Sequence, residues 1–395
     1  MDDEARLRQL AELDVGRPVP VAELEARTRR RRTRRQVTRA AVACTLVLAL
    51  VIVAVVARPR SEDRIDTATV PPTSDAGQPS TSTTIGPTTR PPPSITASVP
   101  VGRFAYHSVT DGRTLWVLNK TDSSVTRIDE ATATVVSTVD LPSSFGSLDR
   151  LALGAGAVWV AGLAPRSGAG TGGSVARIDL ATEQVTQFDT VGGPVSIAVA
   201  GDDVWIGTFA QGSAALEHLD ARTAHVDAPI PLPHGAPVDV AVTDEGVWVL
   251  GQTKPDSWLV LVGPTSGAVV DRIEVPAFAV RLVVDGGSIV IGTDTGGGGG
   301  RTGALHVLDA RTRSMIAGRQ LDVRPEGLVV TPDAIITSGL RAYERRTLEP
   351  LALDPALSTI GGFTVAGTDG TVWASRYGPA TGLEAMVRVD VRALG

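Results

Sequence analysis

One cysteine, Cys44, stands in the whole chain, so no disulfide can form within it and any folded part holds together by packing alone. Lysine is almost as scarce: Lys120 and Lys254 stand beside 35 arginines, a ratio that reads as the codon bias of a high-GC genome. Aromatic residues make up 4%. The basic residues that a nucleic-acid binder needs are missing from the bulk of the chain. Residues 1–39 carry a local charge of +4, which leaves −10 on the remainder of a chain whose net charge is −6. Nucleic acid is thereby excluded as a partner of the main body. No nucleophile–base pair, cysteine cluster or metal-ligand spacing is present, so no catalytic residue, metal or cofactor is expected.

The 395 residues suffice for one large domain or two ordinary ones. Residues 1–39 form an Arg-rich leader with one amphipathic stretch (Leu7, Leu10, Leu13) ended by Gly16 and Pro18. It sets topology, or docks a cytoplasmic partner. Residues 40–57 (AAVACTLVLALVIVAVVA) contain neither charge nor proline. As a helix they reach about 27 Å, enough to cross a hydrocarbon core. Eight arginines between Arg27 and Arg39 precede this run, against Arg58, Arg60 and Arg64 after it. The richer side stays inside, which predicts a single-pass plasma-membrane protein with a cytoplasmic N-terminus. A signal peptide cleaved near Val55 to Ala57 is the rival reading, and the long leader and full spanning length speak for an anchor. Residues 58–94 are rich in Pro, Ser and Thr and cannot bury enough apolar surface to fold. As a flexible tether they span about 35 Å, or up to about 115 Å as extended polyproline.

From residue 95 onward the chain repeats. An apolar strand centred on Trp116, Trp159, Trp205, Trp248, Val290, Ile336 and Trp373 recurs at intervals of 43, 46, 43, 42, 46 and 37 residues. A second phrase follows each: RIDEAT at Arg127, RIDLAT at Arg177, HLDART at His218, LVGPTS at Leu261, VLDART at Val307, AYERRT at Ala342 and a degenerate RVDVRA at Arg388. Seven units of about four short strands predict an all-β, seven-bladed propeller over residues 95–395. The tryptophans are expected to pack between blades. Asp129, Asp179, Asp220 and Asp309, each followed three residues on by Thr132, Thr182, Thr223 or Thr312, are expected to close hairpin turns, not to bind metal.

The strand-[IL]-D-x-x-T-strand phrase, with segments such as RPEGLVVTPDAIITSG at Arg324, resembles the YVTN-type and streptogramin-lyase-like seven-bladed propellers of bacteria. The leader, span and tether are similar to those of membrane-anchored actinobacterial propellers. Streptogramin lyases place histidines and a glutamate on one propeller face, and no motif carries that set onto His107, His218, His225, His234 or His306. Quinoprotein propellers show D-x-x-T-G, where this chain has Ala, Glu, Ala and Arg after the threonines. Quinone binding is therefore not implied.

The last repeat lacks a fourth strand before Gly395, and ITASVPVG from Ile95 has the pattern of the outer strands VVSTVDLP and VVDRIEVP. Pairing of the two ends would close the ring. Connections after the Trp strand are long and irregular, with a glycine run at Gly296 to Gly300 that reads as filler, and function usually rides on such loops. Arg150, Asp239, Arg281 and Glu326 enter the innermost strands near the channel mouth and are the candidate ligand contacts. A ring of mutual salt bridges is the alternative role. The expected function is a monomeric binding or scaffold module for an extracytoplasmic protein or small ligand. A lyase- or hydrolase-like enzyme with a channel site and a transmembrane sensor are the alternatives.

Overall fold

The computed structural model describes residues 93–394 apart from 143–147, 163–171, 264–265, 286, 296–301, 354–356, 358–359, 361–363, 367–369 and 378–383. The leader, the apolar run at 40–57, nearly all of the tether and the glycine run lie outside the described residues. Among the described residues no helix is long and apolar enough to cross a membrane.

The described chain forms seven antiparallel sheets whose strands, A to D, run from the centre outward. Blade 1 comprises Ala105–Thr110, Thr114–Asn119, Ser124–Asp129 and Thr134–Asp140; blade 2 comprises Leu148–Gly154, Ala157–Gly162, Gly173–Asp179 and Val185–Thr190. Blade 3 has Gly193–Ala200, Asp203–Ala210, Ser213–Asp220 and an outer strand in two pieces, His225–Val226 and Ile230–Pro231. Blades 4 and 5 are Ala236–Thr243, Gly246–Thr253, Asp256–Val262, Val269–Val275 and Ala279–Asp285, Ser288–Asp294, Gly303–Asp309, Met315–Leu321. Blade 6 is the smallest, with Leu328–Val330, Ala334–Thr337, Arg341–Glu344 and Pro350–Leu351. Blade 7 takes Thr364–Ala366, Thr371–Tyr377 and Glu384–Asp390 from the C-terminal end, and Ser94–Val101 as its strand D. The A strands touch one another in cyclic order, and that of blade 7 returns to blade 1. This is a seven-bladed β-propeller. The pattern HVDAPIPL predicts one unbroken outer strand in blade 3; Pro229, which lacks the N–H that a ladder requires, lies in the gap between the two pieces, and the strand splits there.

Seven apolar cores occupy the seven blade interfaces. Trp116 packs with Val158, Val160 and Ile178 between blades 1 and 2, and Trp159 with Ile197 and Ile206 between blades 2 and 3. Trp205, Trp248, Val290, Ile336 and Trp373 repeat the arrangement around the ring. Trp116, Trp159, Trp248 and Trp373 are among the largest fully buried side chains. Each sheet is covered on both faces, which is why its B strand reads as an unbroken apolar run.

The turn between strands C and D repeats with equal regularity. Asp129 Oδ1 accepts hydrogen bonds from Thr132 N (2.8 Å) and Thr132 Oγ1 (2.9 Å), and Asp179 and Asp309 hold Thr182 and Thr312 in the same way. Asp220 takes the backbone N–H of Thr223 at 2.8 Å, and Glu344 replaces the aspartate in blade 6 with bonds to Thr347 N (2.6 Å) and Oγ1 (2.7 Å). These bonds favour ionised carboxylates and hold Asp129, Asp179, Asp220 and Asp309 below the ordinary aspartate range, the threonine N–H contributing most.

Candidate functional site

Every A strand is the inner edge of its sheet, so half of its backbone groups face the channel without a neighbouring strand. Five of these strands carry a β-bulge at their entry end, at Ala105/His107, Leu148/Arg150, Pro194/Ser196, Pro237/Asp239 and Ala279/Arg281. A bulge re-aims the residue that follows it. His107, Arg150, Ser196, Asp239 and Arg281 are consequently equivalent in five consecutive blades. Gly207, opposite Ser196, has no room for a Cβ against Ser196 Oγ and Pro237.

These side chains reach onward around the ring to backbone of later A strands. His107 Nδ1 accepts from Leu151 N at 3.3 Å, and Ser196 Oγ donates to Pro237 O at 2.6 Å. Asp239 accepts from Leu282 N at 3.0 Å with Oδ2 and from Val240 N at 3.2 Å with Oδ1. Arg150 donates from Nη1 to Asp149 O (2.9 Å) and from Nη2 to Val238 O (3.5 Å), two blades on. Arg281 donates from Nε to Glu326 O and from Nη1 to Val280 O (3.4 Å). The result is a polar belt that satisfies edge-strand groups which would otherwise face the channel alone.

All four residues selected from the sequence line one cavity of about 380 Å3 on the channel axis, together with His107. Arg150 and Arg281 are each only 8% exposed. Among the described residues neither guanidinium has a carboxylate within ion-pair distance, so the belt is not a ring of mutual salt bridges. Both arginines bind backbone carbonyls instead, and Arg150 Nε, buried, has no partner. Glu326 stands apart from the belt. The place equivalent to Arg281 in blade 6 is Gly327, whose N–H donates to Ser338 Oγ at 2.6 Å, and the Glu326 carboxylate pairs with Arg324 at 3.0 Å.

Burial, and then the nearby Arg150 charge, push His107 down to about 3. The ring is neutral at pH 7, and because Nδ1 accepts from Leu151 its proton is assigned to Nε2. Burial raises Asp239, opposed by Arg150 and by the N–H groups of Leu282 and Val240. Both residues are half-buried, so it is the low-dielectric surround of packed strands that acts on them. His107 and Ser196 are missed by motif reasoning. Aligning the A strands AYHSVT, DRLALG, VSIAVA, VDVAVT and VRLVVD by their turns would expose them, since each supplies the belt residue at one register position.

His107 and Glu326 share the cavity wall, and among the described residues no hydrogen bond or ion pair joins them. A larger open hollow of about 990 Å3 lies on the turn face between blades 5 and 6. Its Arg345 is already bound to Asp285 O (2.9 Å) and Ser288 Oγ (2.8 Å). Among the described residues no group of three His, Cys, Asp or Glu side chains could hold a metal ion.

No family model and no curated protein matches the chain. Solved structures do. A chain of the hydrazine synthase of Kuenenia stuttgartiensis superposes with a TM-score of 0.55 at 16% identity, over 73% of this chain and 96% of that one. The computationally designed Ika8 protein superposes at 0.51 with 12% identity, over 73% and 98%. Likeness at these identities establishes the fold alone.

Proposed function

We propose that the chain is a membrane-anchored binding module that holds its propeller outside the cytoplasm and seats a small ligand in the central channel. The apolar run at 40–57 and the arginine asymmetry around it support the anchor. One observation carries the binding reading: two arginines, Arg150 and Arg281, are held in the wall of a channel cavity by carbonyl bonds, and among the described residues no carboxylate makes an ion pair with either, the Asp239 charge acting on Arg150 only from farther off. A carbonyl satisfies an N–H group but leaves the positive charge in place. The cavity also falls within the range of small-molecule sites, about 300–1,000 Å3.

The test uses the full chain in detergent micelles, equilibrated with a small-molecule cell extract and analysed by native mass spectrometry. A bound species is expected on the wild type and not on Leu328→Trp, which fills the channel from a partly exposed wall position. Retention of the species by a folded Leu328→Trp chain, or no bound species on the wild type, would overturn the channel as the site.

A further inference from the structure

Taking the channel as the binding site, we infer that its ligand is a small organic acid with one carboxylate and an apolar body. The sign of the ligand follows from the fixed charges of the wall. Arg150 and Arg281 contribute two positive charges, and Asp239, both of whose carboxylate oxygens accept backbone N–H bonds, one negative charge. Glu326 is paired with Arg324, and the His107 ring is neutral. The balance is a single positive charge, which one carboxylate neutralises and which a dianion such as phosphate would exceed.

Geometry adds to the charge count. Arg150 Nε is buried and without a partner, so the guanidinium retains an unused donor after its two carbonyl bonds are made. Buried donors are seldom left open unless a ligand or water completes them. Neither guanidinium is spent on an ion pair, and a charge-assisted bond to a carboxylate is the strongest contact that such a group can add. The rest of the wall is mixed: Ser108 and Gly327 contribute to it, and Leu151, Ile197, Val240, Leu282 and Val329 meet it from the strands whose side chains fill the blade-interface cores. Val283, Leu328 and Val330, partly exposed, give it an apolar strip on one side. A hydrated inorganic ion gains nothing from those surfaces, whereas the hydrocarbon part of an organic acid buries itself against them.

Calorimetric titration of the full chain in detergent micelles, with butyrate, benzoate, succinate, inorganic phosphate, butyramide and benzamide as probes, tests the assignment. Butyrate or benzoate is expected to saturate one site per chain. The matching amides should bind at least about tenfold more weakly, since the charge-assisted bond is absent, and phosphate and succinate more weakly than the monoacids. Arg150→Gln and Arg281→Gln should each weaken the acid by about tenfold or more. Thermal unfolding checks that these variants fold, and Arg150→Lys, which keeps the charge but loses the fork, should fall between Gln and wild type. Amides binding as tightly as acids, phosphate binding more tightly than either monoacid, or no saturation by any acid at millimolar concentration would overturn the inference. If amides and acids bind alike and Leu328→Trp abolishes both, the channel stands and the carboxylate falls. Acid binding that survives Leu328→Trp removes the channel site as well.

Discussion

Glu183, Arg313 and Leu348 occupy the same turn position in blades 2, 5 and 6, directly after the turn threonine, with φ of 58°, 61° and 59°. A left-handed backbone costs an L-residue about 1–2 kcal/mol, and glycine is the usual occupant. The side chains show why glycine is absent. Glu183 reaches back to Arg127 (3.0 Å) and Ser137 Oγ (2.7 Å) of blade 1, and Arg313 to Asp271 (3.1 Å) and Glu245 (2.9 Å) of blade 4 while lying over Trp248. Leu348 is buried in the core between blades 5 and 6. Ala224, with φ of 59°, is exposed and makes no such reach. Ala224→Gly should therefore raise stability by about 0.5–1 kcal/mol after the entropy of glycine is counted, whereas Arg313→Gly should lower it; urea unfolding of both variants measures the contrast. A second residue effect is set by pH. His218 stacks on Trp205 (4.5 Å between ring centres) where blades 1 and 7 set an arginine over the tryptophan, and it bonds Asp227 (2.6 Å) and Asp203 (2.8 Å). Burial lowers its pKa, but the bonds to Asp227 and Asp203 outweigh burial and raise it overall. A raised folded value means that the contribution is complete below the unfolded histidine value, about 6.5, and fades as pH rises through the folded value. The stability difference between wild type and His218→Gln should accordingly shrink from pH 5 to pH 8, and a constant difference would rule the ion pairs out.

The strand that decides ring integrity is Ser94–Val101. It pairs antiparallel with Glu384–Asp390 from Ser94↔Asp390 to Val101↔Glu384, and Arg388 Nε donates to Thr96 Oγ1 at 3.0 Å. Glu384, also buried, accepts from Ala105 N, tying the same junction to blade 1. Val99 and Val101 are 2% and 8% exposed. Losing two buried valines removes about 3–6 kcal/mol, before the exposed edge of strand C is considered. A chain starting at Gly102 should thus unfold at much lower urea than one starting at Ser94. Matching midpoints would mean that the closure carries no weight. The strand count of the last repeat and the outer-strand pattern of ITASVPVG make this pairing legible in sequence, because both are local patterns. The break in the outer strand of blade 3 has an equally local cause in Pro229, although the pattern HVDAPIPL reads as one continuous strand.

Across the whole molecule the seven interfaces are built alike, and the charge is not. The leader is basic and the remainder acidic. If the arginine-rich side of residues 40–57 faces the cytoplasm, protease added to intact cells after removal of the wall should shed or cut the chain beyond Arg58. Digestion that requires a permeabilised membrane would place the propeller inside. The tether and ring closure would then act together, because the chain leaving residues 58–92 enters the sheet at once as the outer strand of blade 7.

Sequence alone determined the blade period, the interface tryptophans and the Asp-x-x-Thr turns, because each depends on neighbours within one repeat and recurs along the chain, the period in seven repeats, the tryptophan in five and Asp-x-x-Thr in four. Arg150, Asp239 and Arg281 were legible only as polar residues in otherwise apolar inner strands. Tertiary structure decided the rest. His107, Arg150, Ser196, Asp239 and Arg281 lie more than forty residues apart from one to the next, and only ring closure with a bulge in each inner strand brings them to one belt. That the arginines bind carbonyls and leave Asp239 to backbone N–H groups follows from where each edge strand presents its unpaired donors and acceptors, a property of the assembled channel that no single repeat contains.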